Sequence, residues 1–341
     1  MIKGIRYPII QAPMAGGIST ATLASSVSKA GGLGFLAGGY KNIEELQNEI
    51  EIMKSQDLIF GVNIFVPSDE EINYEDLTKY KKILEKDLNI KLIDPKVTDD
   101  FWNEKLALVK KYKVPFVSFT FGCPNRTIIK DLQANDIKVI VTVTSLEEAK
   151  EAIAEGTDFL CIQGIEAGGH RGSFQNSDCL TDKTLKETFS EIKAQTTVPL
   201  IVAGGIMNGK QVEDYLNNGA AAVQMGTAFI CTKESGANEV YKQALLQHKF
   251  KRTAFTRAFT GRLAQGLENE FMIKHANNAP RIYPAINFMT QAIRKEALKN
   301  NNPQHMSLWA GIGFKEVRDL SVIELIDEIV EEAHLSRING Q

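Results

Sequence analysis

Short, largely apolar runs recur along the chain, separated by longer stretches in which apolar residues return every three or four positions. The runs are residues 8–11, 33–36, 60–64, 116–119, 139–143, 159–162, 200–203 and 222–225. Most lack the one-in-two polar alternation of a sheet with a wet face, so they predict parallel strands covered on both sides. Between them lie amphipathic helices. In residues 145–155, for example, Ser145 is placed to cap and Glu148 to complete a capping box. Eight strands with helical crossovers predict an α/β fold, a (β/α)8 TIM barrel. The alternative, a doubly wound sheet, carries GxGxxG after its first strand, whereas the first run here continues into Ala12-Pro13-Met14-Ala15-Gly16-Gly17.

After the eighth run the pattern changes. From about residue 233 to 305 the chain is polar with helical spacing and offers no convincing strand, although a barrel needs only one more helix. Residues 322–333, with Ile323, Leu325, Ile326, Ile329 and Val330, supply that helix. The expected organisation is a barrel of residues 1–232 and 307–341, with a small helical insertion, 233–306, covering the active site.

Charge and composition narrow the function. The 341 residues carry 39 Lys and Arg against 42 Asp and Glu, a formal charge of −3 spread along the chain. No basic footprint for a nucleic acid exists. No window reaches the roughly 18 to 20 consecutive apolar residues of a membrane helix, and no signal-like apolar segment follows Met1. A soluble, cytoplasmic protein is expected. Cys123, Cys161, Cys179 and Cys231 form no CxxC pair, which argues against both a disulfide framework and a zinc site. Cys161, inside an apolar run, reads as a small buried hydrophobe. No metal is expected.

Barrels of this type bind ligands at the carboxyl ends of their strands, often with a phosphate at the loops after strands seven and eight. Both loops are glycine-bearing here: Ala203-Gly204-Gly205-Ile206 and Gln224-Met225-Gly226-Thr227-Ala228. Such loops can serve as turns alone, but together they suit one phosphate held by backbone N–H groups. The sixth run ends in Gln163-Gly164-Ile165-Glu166-Ala167-Gly168-Gly169-His170-Arg171-Gly172. Glycines there let backbone approach a flat ligand, and His170 becomes the candidate catalytic residue. Arg171 suits either a ligand contact or a structural ion pair. Asn63 and Gln163 are amides at strand positions that need partners, in a ring system or in the backbone.

These blocks, with residues 8–16, 27–34, 60–63, 118–122 and 219–229, resemble the bacterial nitronate monooxygenases, formerly called 2-nitropropane dioxygenases. The resemblance spans the whole barrel in order. It implies a TIM barrel with a late helical insertion, an FMN cofactor, and oxidative denitrification of alkyl nitronates by O2 to a carbonyl compound and nitrite. Propionate 3-nitronate is the associated substrate, with detoxification as the role. It implies flavin contacts at Ala12, Pro13, Met14, Asn63, Gln163, Gly168, Gly204, Gly205, Gln224, Met225, Gly226 and Thr227, with His170 as the active-site histidine.

Two positions stand apart. The family often has Gln where this chain has Ile312, and Tyr283-Pro284 resembles the family's segment over the active site. If the neutral nitroalkane is also a substrate, His170, with an ordinary imidazole pKa, is the expected base. The competing readings are an FMN-dependent enoyl-acyl-carrier-protein reductase and a non-catalytic flavin-binding barrel.

Overall fold

A computed structural model describes residues 2–68, 70–95, 97–176 and 183–335. Each of the eight apolar runs forms a strand. In chain order the strands are β1 (Ile9–Gln11), β2 (Gly34–Ala37), β3 (Phe60–Phe65), β4 (Phe116–Thr120), β5 (Lys138–Val143), β6 (Phe159–Gln163), β7 (Gly169–His170), β8 (Leu200–Ala203), β9 (Ala222–Met225), β10 (Thr253–Thr256) and β11 (Ala264–Leu267). All except β7, β10 and β11 join one parallel sheet in the order β1-β9-β8-β6-β5-β4-β3-β2. The sheet closes on itself where Ile10 bridges Leu33, with Gln11 N–H donating to Leu33 O at 3.0 Å and Leu33 N–H to Ile9 O at 2.9 Å. The predicted barrel is therefore present.

Alternate strand residues point to opposite faces. Ile10, Phe35, Phe116, Ile140, Cys161 and Ile201 fill the barrel interior in one cluster. Their neighbours Ile9, Val62, Val117, Val141, Leu160 and Val202 pack outward against the helices. A Cβ on Gly61 would lie 2.2 Å from the Phe35 ring, so this glycine is what lets a phenyl group occupy the barrel axis. Cys161 is the buried hydrophobe the sequence predicts. Burial pushes its thiol, and those of Cys123 and Cys231, up to about 12; Cys179 lies outside the described residues.

The helix at Leu146–Glu155 starts on Ser145, whose hydroxyl accepts from Glu148 N–H at 3.2 Å. The expected capping box does not form. The Glu148 carboxylate instead accepts from Thr144 N–H and Oγ1 and, at 2.8 Å, from Phe174 N–H, which ties the helix start to the segment beyond His170. The closing helix, Val322–Glu332, has a full capping box between Ser321 and Glu324. It buries Val322, Leu325, Ile326 and Ile329, while Ile323 of the predicted stripe faces solvent.

The late stretch departs from expectation. It is not wholly helical, because β10 pairs antiparallel with β11, and β11 with β7, matching Ala264 to His170 and Gln265 to Gly169. Along the same edge of β11 that β7 occupies, Gly266 bridges Trp309. Both β10 and β11 are four residues long, β11 contains Gly and Gln, and its second edge pairs with a segment about a hundred residues away, so no local apolar run marks them. The remaining elements there are helical, including Ala285–Met289 and Gln291–Lys299. Among the described residues no helix is long and apolar enough to cross a membrane.

Candidate active site

At the carboxyl ends of the barrel strands lies a cavity of about 430 Å³, a volume suited to a small-molecule or cofactor site. Ala12, Pro13 and Met14 line it from beyond β1, and Asn63 from β3. Gln163, Gly168 and His170 line it from β6 and the segment after it. Gly204 and Gly205 follow β8, and Gln224, Met225, Gly226 and Thr227 end β9. The topology thus brings every sequence-predicted flavin or catalytic position to one cavity.

Asn63 is 2% exposed, and its Oδ1 accepts from Ser118 Oγ at 2.8 Å and Thr120 Oγ1 at 3.0 Å. With the oxygen occupied, the amide N–H2 is what Asn63 offers the cavity. Opposite, Gly204 and Gly205 adopt φ of +132° and +68°, left-handed backbone that glycine enters without strain. The N–H groups of Gly204, Gly205, Gly226 and Thr227 donate to no protein acceptor among the described residues. Thr227 Oγ1 accepts from Gly311 N–H at 3.0 Å, joining this loop to the segment after Trp309. A Cβ on Gly168 would sit 2.4 Å from the Ala310–Gly311 backbone, so the His170 segment and the segment after Trp309 meet without a side chain between them.

Gln163 and Arg171 hold the histidine in place. Gln163 Nε2 donates to His170 O at 2.9 Å and its Oε1 accepts from Gly172 N–H at 2.8 Å. Arg171 Nη1 donates to Gln163 O and Gly164 O at 2.9 and 2.7 Å. Arg171 therefore braces the end of β6 through backbone carbonyls and does not line the cavity, an arrangement that is neither the ligand contact nor the ion pair read from the sequence. Gln163 lines the wall, but its amide serves this loop.

His170 Nε2 lies 3.0 Å from Thr260 Oγ1. The Thr260 hydroxyl has one proton and sits 3.0 Å from Arg262 O, an acceptor that requires it, so Nε2 carries its own hydrogen and Nδ1 is the free lone pair. Phe121, Tyr283 and Trp309 surround the ring with centroids 6.0, 5.8 and 5.4 Å away. Burial, and then the charges of Arg262 and Arg294, bring the imidazole pKa down to about 3. His170 is neutral at physiological pH, and the expectation of an ordinary imidazole pKa is not met.

The sequence profile of nitronate monooxygenases matches residues 1–332. The chain belongs to the nitronate monooxygenase family. It is 40% identical to a probable nitronate monooxygenase of Staphylococcus saprophyticus, covering 98% of this chain and 96% of that protein. For a probable nitronate monooxygenase of Bacillus subtilis the identity is 37%, over 95% of each chain. Among solved structures, a nitroalkane oxidase from Streptomyces ansochromogenes superimposes with a TM-score of 0.92 at 39% identity, covering 97% of this chain and 96% of that one. FabK from Thermotoga maritima gives 0.75 at 26%, covering 97% and 93%. Nitronate monooxygenases are flavin-dependent oxidoreductases, and the amide of Asn63 facing glycine loops with uncommitted N–H groups fits a ring heteroatom and a polar tail.

Several residues of the site were not marked by sequence. Tyr40, Phe65, Phe121, Arg294 and Trp309 also line the cavity. Tyr283 lies just behind this wall, with its hydroxyl 2.8 Å from that of Tyr40. Burial raises both phenols, Tyr40 to about 12. Tyr40 is fixed from below: its N–H donates to Asp100 Oδ1 at 3.0 Å, and Asp100 Oδ2 lies 2.7 Å from Nζ of the fully buried Lys105. Arg262 stacks 4.1 Å over Phe121 and donates from Nε to Arg171 O at 3.2 Å. Ile312 is 57% exposed and lies outside the cavity wall.

Proposed function

We propose that this protein uses FMN and O2 to oxidise alkyl nitronates to a carbonyl compound and nitrite, with propionate 3-nitronate as the substrate to test first and detoxification as the role. The observation that carries the reading is the donor set of one cavity wall: the Asn63 amide at one end, two glycine loops with free N–H groups at the other, and a neutral histidine between. Ala12, Pro13 and Met14 would lie along the ring, Asn63 would donate to it, and Gly168 would let it approach. Gly204, Gly205 and residues 224–227 would hold the single phosphate. When bound, the flavin would supply the electron transfer between substrate and O2.

The protein's own groups do the rest. Phe65, Phe121 and Trp309 give the pocket apolar walls that exclude water and strengthen charge interactions inside it. A nitronate arrives already deprotonated and asks no base of the site. A neutral nitroalkane must lose its α-proton, and His170 Nδ1 would take it. The imidazolium so formed would face the anion it has just created, which offsets part of the desolvation that keeps its pKa low. The likeness to a nitroalkane oxidase supports this second substrate form.

The test is to identify the released flavin by mass and to follow nitrite release and O2 uptake with propionate 3-nitronate, without NADH. Nitrite formed from the nitronate, with no NADH consumed, is the expected result. NADH oxidation coupled to an enoyl thioester would point to the chemistry of the FabK-like fold relatives instead. Bound flavin with neither activity would mean a non-catalytic barrel.

A further inference from the structure

A neutral His170 leaves an electrostatic question, because the nitronate is an anion entering a site with apolar walls. Arg171 is used on Gln163 and Gly164 carbonyls. Arg262 is 2% exposed, stacked on Phe121, and bound through Nε to Arg171 O and through Nη2 to Ser173 O. Neither is available to a ligand. Arg294 differs. It lines the cavity, and only its Nη2 edge is fixed, by the Asn287 carbonyl and by Asn287 Oδ1 at 3.0 Å. Its Nε is buried without a hydrogen-bond partner, and its Nη1 donates to no acceptor among the described residues.

A guanidinium held on one edge and unsatisfied on the others, in a cavity wall, is a preorganised seat for a planar anion. It lines the same cavity as Tyr40 and His170, and its charge acts on both. Lys295 also lines the cavity but is solvent-exposed, where a charge does less.

Resting on the nitronate reading, we infer that Arg294 is the substrate-anion-binding residue, oriented by Asn287. The site therefore selects planar oxyanions with an O–N–O or O–C–O edge, and binds a nitronate in preference to the neutral nitroalkane of the same skeleton. The groups facing Arg294 and His170 are Tyr40, Tyr283, Arg262 and Lys295, with Asp100 behind Tyr40. Burial raises both phenols, Tyr40 to about 12, and lowers Arg262 and Arg294 to about 10, so none of these four changes charge between pH 6 and 8.

The experiment uses the flavin-loaded enzyme with inorganic nitrate as a planar anion that is not oxidised, read by perturbation of the flavin absorbance. KM is measured in parallel for a nitronate and its parent nitroalkane. Arg294→Met should weaken nitrate and raise the nitronate KM by roughly 10- to 100-fold, while the nitroalkane KM moves less than about threefold and flavin content is kept. Arg294→Lys should recover part of the loss, and nitrate affinity should be flat from pH 6 to 8. Parallel rises in both KM values, or nitrate affinity falling about tenfold per pH unit, would overturn the assignment, the latter by returning the charge to His170. Nitrate binding that depends on Arg294 in an enzyme that never oxidises nitronates would sink the substrate reading and leave the anion site standing. Nitronate turnover untouched by Arg294→Met would do the reverse.

Discussion

Replacing Asn63 by Asp separates the two jobs this amide can have. In the structure Oδ1 accepts hydroxyl bonds from Ser118 and Thr120 at 2.8 and 3.0 Å, and the N–H2 is left for the cavity. A carboxylate keeps both accepted bonds and receives them more strongly, which opposes the cost of burying its charge. The donors, however, disappear, and a negative group faces the ring acceptor. One acceptor left unpaired costs about 1–3 kcal/mol, or about 5- to 150-fold in Kd, and charge repulsion adds to it. Fluorescence titration of flavin-free Asn63→Asp with FMN should show a loss in that range, with urea stability of the flavin-free protein near wild type. Asn63→Ala serves as the contrast, because it strands two buried hydroxyls and should lose about 2 kcal/mol of stability as well. FMN binding by the Asp variant within twofold of wild type would refute the donor role and make Asn63 a purely structural residue.

Other outcomes follow from the same geometry. His170→Ala should lower kcat/KM for a neutral nitroalkane by about 10²- to 10⁴-fold and for the matching nitronate by less than about tenfold; equal losses would remove the base role. Because the folded pKa of His170 lies near 3 while the unfolded chain keeps the ordinary imidazole value of 6.5, acid favours the unfolded state as pH falls below about 6.5. His170→Gln should therefore flatten the stability change between pH 8 and pH 5 by about 2 kcal/mol, measured by urea unfolding, and an unchanged slope would contradict the burial argument. Lys105→Met should cost about 3–5 kcal/mol by leaving Asp100 buried without its partner, whereas Asp100→Asn combined with Lys105→Met should recover most of that; additive losses in the double-mutant cycle would show that the pair is not the source. Gly168→Ala forces a Cβ to within 2.4 Å of the Ala310–Gly311 backbone, so flavin content of the purified protein should fall sharply, and full occupancy would show that the two segments part easily.

The barrel was legible because its strands are covered on both faces, which writes each one into the chain as an apolar run. The glycine loops after β8 and β9 were legible for a related reason: the fold fixes where ligands bind, so glycines at those strand ends carry meaning. Other features depend on partners far along the chain. β10 and β11 are too short and too mixed in composition to announce themselves; they pair with each other, and β7 and Trp309 supply the edge that β11 adds to. Gln163 and Arg171 look like ligand contacts by position, but the loop that carries His170 claims their hydrogen bonds first. Arg294 follows Asn287 by seven residues across two short helices, and nothing local distinguishes it from the other arginines. The neutrality of His170 could not be read at all, since it comes from burial and from two arginines supplied by distant segments.

His170 is reached along the chain from β6 of the barrel, yet as β7 it is a strand of the sheet that β10 and β11 build. The β10–β11 pair and the histidine are thus one piece of structure. That pair cannot be exchanged between relatives as a detachable part, because the incoming segment would also have to supply the edge that Gly169 and His170 pair with and the Thr260 that meets the ring. A chimera that keeps the barrel but imports foreign strands there inherits its His170 geometry from them.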